Sequence, residues 1–116
     1  MTDNSEAERV CFLLRIDPNQ IPEYLHAHQN VPPPLLLALQ NAGYRNYSVF
    51  VDASGLLVGY FETDDAEKAL ATMKANPIND SWGKTIEPMF MAVDDSRPVG
   101  TVLPLRLAFN LESAVQ

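Results

Sequence analysis

Tyr24 and His28 stand four positions apart in the stretch EYLHAH, so a helix there sets a phenol and an imidazole on one face. Imidazole is the side chain that ordinarily titrates near neutrality, and such a pair can bind and protonate a neutral hydroxylated ligand. His26 lies two positions from His28 and points elsewhere. From this pair alone the plainer reading is the better one: a surface helix carrying ordinary polar residues. Tyr47 shares a strand face with Val49 and Val51, a place where tyrosine is more often core or interface than ligand contact. Trp82 is the only tryptophan. Its ring can stack on the C–H face of a sugar, yet a lone tryptophan in a short helix is more often a packing anchor.

Other chemistries find no support. Glu62, Asp64 and Asp65 form an acidic cluster, but they sit where a helix begins and where its dipole favours carboxylates. The chain has no nucleophile elbow, no glycine-rich phosphate loop and no HExxH motif. One cysteine and two histidines make neither an intramolecular disulfide nor a structural zinc site. Cys11 lies in an apolar run and reads as a small buried hydrophobe rather than a nucleophile. Neither a metal nor a cofactor is expected.

The elements that must position these residues follow from pattern. Arg9 to Ile16 reads as a strand with two apolar faces, Val10, Phe12, Leu14 and Ile16 on one and Cys11 and Leu13 on the other. Asp17-Pro18 signals a helix running from about Asn19 to His28, and the prolines at 32–34 break it. A second helix is expected from Pro34 to Ala42, with Gly43 as its C-terminal stop. Tyr44 to Val51 and Leu56 to Glu62 read as strands joined by the hairpin loop Asp52-Ala53-Ser54-Gly55. Thr63 is expected to cap a helix from Asp64 to about Ala75, and Pro77 to interrupt. A short helix is expected over Ser81 to Met91, a loop over 94–100, and a last strand within Thr101 to Leu111, best at Arg106 to Leu111. This order is a βαββαβ plan, an α+β ferredoxin-like antiparallel sheet with helices on one face. The second apolar face of the sheet then needs a cover, and a homodimer is the expected one.

Composition sets the outer bounds. The chain has 116 residues, 47% of them hydrophobic and 20% charged, which suits one domain over 9–116 behind a disordered leader over 1–8. A net charge of −7, with 15 acidic residues against 8 basic ones, disfavours nucleic acid and anionic membranes as partners. With neither a signal-peptide pattern nor a long apolar stretch, the expected location is the cytoplasm.

Taken in order, these segments resemble the L-rhamnose mutarotase family over about residues 9–112. RVCFLLRIDP resembles its opening strand and turn, EYLHAH its Glu-Tyr-and-His helix motif, and GYRNYSVFVD its Asn-Tyr strand. GLLVGYFETDDAEKA, NDSWGK and RLAFNLE resemble the third strand and following helix start, the aromatic helix motif and the closing strand. The resemblance implies an isomerase that interconverts the α and β anomers of L-rhamnose without metal or cofactor, on a domain that dimerises as a dimeric α/β barrel. It puts His28 at the catalytic histidine, Tyr24 and Tyr47 at sugar-contacting tyrosines, and Trp82 at the second tryptophan of a Trp-Trp pair. Ser81 stands in place of the first tryptophan, Pro32 in place of a common tryptophan, Pro34 in place of a usual glutamate, and Leu107 in place of another. Three alternatives stay open beside it: a mutarotase for another neutral sugar, a non-catalytic sugar-binding relative, and a cofactor-free monooxygenase of the same fold.

Overall fold

The computed structural model describes residues 7–115. Most of the expected leader, residues 1–6, lies outside the described residues. Strand β1 (Glu8–Ile16) already includes Glu8, which pairs with Thr63. After a 3₁₀ turn capped by Asp17 come α1 (Ile21–His28) and α2 (Pro33–Ala42). Prolines occupy the first turn of each, where their missing N–H has no helical partner to lose. Gly43 ends α2 with a φ of 100°, a left-handed stop that glycine takes without strain.

Strands β2 (Arg45–Val51) and β3 (Leu56–Thr63) form a hairpin. Then come α3 (Ala66–Ala75), α4 (Pro77–Ile86), a 3₁₀ turn over Glu87–Met89, β4 (Phe90–Met91), β5 (Leu103–Leu105) and α5 (Leu111–Ala114). The sheet order is β2-β3-β1-β4, with β5 also on β1, and every pairing is antiparallel. This is the expected ferredoxin-like α+β plan. Among the described residues no helix is long and apolar enough to cross a membrane.

Register fixes which side chains meet the helices. Leu14 faces Leu57, Phe12 faces Gly59 and Val10 faces Phe61, all on one side of the sheet. Leu14, Ile16 and Leu57 bury against Tyr24 of α1 and Ile86 of α4. Phe12 lies so close over Gly59 that a Cβ there would overlap its ring. The opposite side carries Cys11, Leu13, Phe50, Val58, Met91 and Leu105, and Phe50 remains 65% exposed. Cys11 is only half-buried on that side.

The main departures from expectation are at four boundaries. Thr63 does not cap α3. It closes β3 as a buried residue paired with Glu8, and Asp65 caps the helix by accepting from Lys68 N–H at 3.1 Å. Glu8 Oε1 adds a second acceptor for the same helix start, at 2.6 Å from Ala66 N. Helix α4 begins at Pro77 instead of Ser81, because Asn76 accepts from Ile78 N–H and Pro77 fits the first turn. It stops at Ile86, just before Pro88, and Phe90–Met91 is a strand rather than the end of that helix. The closing strand lies at Leu103–Leu105, inside the expected Thr101 to Leu111 but ahead of the favoured Arg106 to Leu111. Pro104 is tolerated on this edge, and Asn110 caps the short α5, which ends the extended run.

Candidate active site

Helix α1 delivers Tyr24 and His28 to the same side, as their spacing requires. Their rings lie 4.2 Å apart between centroids, and the His28 ring meets Trp82 of α4 edge-on at 5.2 Å and 86°. Tyr47 reaches the same space from β2. Tyr24, His28, Tyr47 and Trp82 all line one cavity of about 330 Å³ between the helices and the sheet, and an adjoining lobe of about 260 Å³. Val49 accompanies Tyr47 in both, so the strand face read from sequence does point into this space. His26 is exposed and turns to a separate groove that Trp82 also lines.

The state of His28 follows from one contact. Nδ1 lies 2.8 Å from the carbonyl oxygen of Tyr24. A carbonyl only accepts, so Nδ1 carries the hydrogen in this contact whatever the charge of the ring. Nε2 is therefore the nitrogen left to gain and lose a proton. The imidazole is only partly buried, whereas Tyr24 is buried to 6% exposure.

A bulge in β2 sets Tyr47. Arg45 faces Glu62 and Ser48 faces Tyr60, so two residues, Asn46 and Tyr47, oppose Phe61 alone. Asn46 takes up the extra length in the left-handed region at φ 53°, which asparagine tolerates better than most residues. In a regular strand, residues three apart face opposite ways. Here the inserted residue brings Tyr44 and Tyr47 to the same side, with centroids 5.4 Å apart. Tyr44 stacks on buried Phe61 at 4.1 Å, and Phe61 in turn meets Tyr47 edge-on at 5.7 Å. This aromatic cluster backs Tyr47.

The phenols are held neutral. Burial pushes Tyr24 above the usual phenol range, and the neighbouring Tyr47 adds to the effect. Tyr47, although 43% of the whole residue stays exposed, is raised for the same reason by the protein packed around its side chain. Tyr44 is pushed up to about 12, by burial first and by Tyr47 second. At neutral pH they act as hydrogen-bonding hydroxyls, not as phenolates.

Several cavity residues escaped the sequence reading. Asn79, Asp80, Gly83 and Glu87 come from α4 and the turn after it, and Phe12 comes from β1. The α4 set recurs at helical spacing around Trp82, a signal that the expected start at Ser81 cuts short. The acidic cluster, by contrast, is structural. Asp64 pairs with Arg45 at 3.0 Å, Glu62 accepts from the Tyr60 hydroxyl at 2.7 Å, and Asp65 is a cap.

The protein is a ferredoxin-like α+β domain in which an imidazole, phenols and an indole line a cavity between the helices and an antiparallel sheet. Comparison with known proteins gives this class its family. The family profile described as L-rhamnose mutarotase matches residues 9–111. The L-rhamnose mutarotase of Oceanobacillus iheyensis is 33% identical over 97 residues, 83% of this chain and 92% of the relative. That of Acidiphilium cryptum is 30% identical over 105 residues, 90% and 98% of the two chains. The crystal structure of the L-rhamnose mutarotase from Formosa agariphila superposes with a TM-score of 0.73 at 22% identity, over 90% of this chain and 98% of that one, which supports the fold. The chain belongs to the L-rhamnose mutarotase family, a family of carbohydrate isomerases.

Proposed function

We propose that this protein interconverts the α and β anomers of L-rhamnose, with His28 as the proton-transferring residue. The observation that carries this reading is the Nδ1 contact to the Tyr24 carbonyl, which leaves Nε2 as the exchangeable position beside a cavity of about 330 Å³. His28 protonates the ring oxygen while the C1 hydroxyl gives up its proton to a base; the C1–O bond to the ring breaks as the second C1–O1 bond forms, giving the aldehyde. Rotation about C1–C2 presents the other face, and His28 recovers its proton as the ring closes. A positioned acid–base group of this kind contributes roughly 10²–10⁴-fold. Tyr24 and Tyr47 orient the ring through their neutral hydroxyls, and Trp82 supplies a stacking surface. No step calls on a metal or a cofactor.

The working form proposed with this activity is a cytoplasmic homodimer. Support for the dimer is the apolar outer side of the sheet, where Phe50, Met91 and Leu105 are exposed.

Trp82, as the only tryptophan, gives a binding readout separate from turnover. Titration of its fluorescence with L-rhamnose should show saturable binding in both the native protein and His28→Ala. Only the native protein should accelerate anomer exchange. Equal acceleration by the variant removes His28 from the mechanism, and binding without acceleration by the native protein favours a non-catalytic sugar-binding role.

A further inference from the structure

Opening a sugar ring needs two proton positions at once, because the C1 hydroxyl must lose a proton as the ring oxygen gains one. His28 fills one of them. Tyr24 and Tyr47 are poor candidates for the other, since a phenol packed in protein resists ionisation. Two carboxylates line the same cavity, Asp80 and Glu87. They flank Gly83, which also lines it, three positions before and four positions after.

The glycine gives Glu87 its place. A Cβ built on Gly83 would lie 2.7 Å from Glu87 Oε2, so the carboxylate occupies space that a side chain at position 83 would contest. The end of α4 offers Glu87 no reward there. Glu87 directly follows the last residue of that helix, at the negative end of its dipole, where a carboxylate is disfavoured. The turn that Glu87 opens is only three residues long, with little dipole of its own to set against that. Lys84 sits in the last turn of α4, yet the ion pairs among the described residues are Arg45–Asp64 and Arg97–Asp94, neither of which involves Glu87. Glu87 is exposed and has no ion pair among the described residues; at the negative end of α4 and folded over a glycine that lines the cavity of His28, its carboxylate is open to a ligand bound there.

We propose that Glu87 is the base that takes the anomeric proton while His28 donates to the ring oxygen, an inference that rests on the mutarotase function proposed above. As Glu87 removes the proton from O1, the O1–H electron pair becomes the second C1–O1 bond. The C1–O5 pair leaves with the ring oxygen and takes the proton from His28 Nε2. Ring closure runs the same transfers backwards on the other face of C1, which returns both groups to their starting states. No outside reactant is needed.

The test is the pH profile of enzyme-accelerated anomer exchange, with the buffer rate subtracted, for the native protein, Glu87→Gln, Glu87→Asp and Asp80→Asn. Circular dichroism verifies that each variant is folded. Glu87→Gln should lose roughly 10²-fold in kcat. Its acid limb, where the native base takes up a proton, should disappear. Glu87→Asp should restore part of the rate together with that limb. A Glu87→Gln variant that keeps its rate, or an acid limb that survives in it and vanishes in Asp80→Asn, overturns the assignment while leaving the mutarotase reading intact. A native protein that accelerates no reducing sugar overturns both.

Discussion

The proposed chemistry turns on which atoms of a few side chains are free. His28 is tied at Nδ1, so its proton exchange is confined to Nε2. Its phenolic neighbours are kept protonated by desolvation, which suits them to hold hydroxyl groups without competing for the same proton. Burial also has a consequence for stability. Burial, with a smaller contribution from Tyr47, pushes the Tyr44 phenol up to about 12 in the folded protein from an ordinary value of 10.0. The unfolded chain therefore loses that proton first as pH rises, and the folded state loses ground between those values. Below pH 10 the phenol's contribution is fully present. Urea unfolding of the native protein should show stability falling from pH 10 towards pH 12, and Tyr44→Phe should flatten the fall. An identical slope in the variant would contradict the burial of that phenol.

At the scale of elements, the close passage of Phe12 over Gly59 joins β1 to β3 beneath the cavity. Gly59→Ala puts a methyl group where the Phe12 ring lies, and relief requires that ring to move towards the cavity it lines. Overpacking of this kind costs about 1–3 kcal/mol. Thermal unfolding should register that loss, together with weaker sugar binding, and an unchanged melting temperature would show that the ring has room to retreat. The first three strands, the proline breaks and the Gly43 stop were legible in the sequence because each depends on local geometry. Tyr24 and His28 were legible for the same reason, since a single helix fixes their relation. Tyr44 was not, because only a bulge opposite Phe61 turns it to the side of Tyr47, and the offset exists only once β2 is paired with β3. Asp80 was missed because it precedes the expected start of its helix. Glu87 lay inside that expected helix, but nothing local says which of its faces meets His28. The closing strand was placed a few residues late within its expected span because the apolar alternation through Leu107, Phe109 and Leu111 reads as a strand, whereas all three stay exposed.

For the whole molecule, one side of the sheet is covered by helices and the other is not. Phe50 on β2 faces Val58 on β3 across that open side, near Cys11 and Leu13 of β1. A surface of this kind costs solubility unless it is covered, and a second copy of the chain is the simplest cover. The Phe50→Glu variant should therefore sediment as a monomer at concentrations where the native protein sediments as a dimer. A native protein that is monomeric at every concentration contradicts the dimer. The cavity itself lies on the helix side, so the two surfaces can be tested separately.

Above all else, this chain is held to speed the exchange of L-rhamnose anomers through His28. The most direct measurement is NMR saturation transfer between the two anomeric protons of L-rhamnose at equilibrium, with the native protein, with His28→Ala and with buffer alone. Transfer well above the buffer rate is expected for the native protein, and a return to nearly that rate for the folded variant. Transfer at the buffer rate with the native protein, or undiminished transfer with His28→Ala, would contradict it.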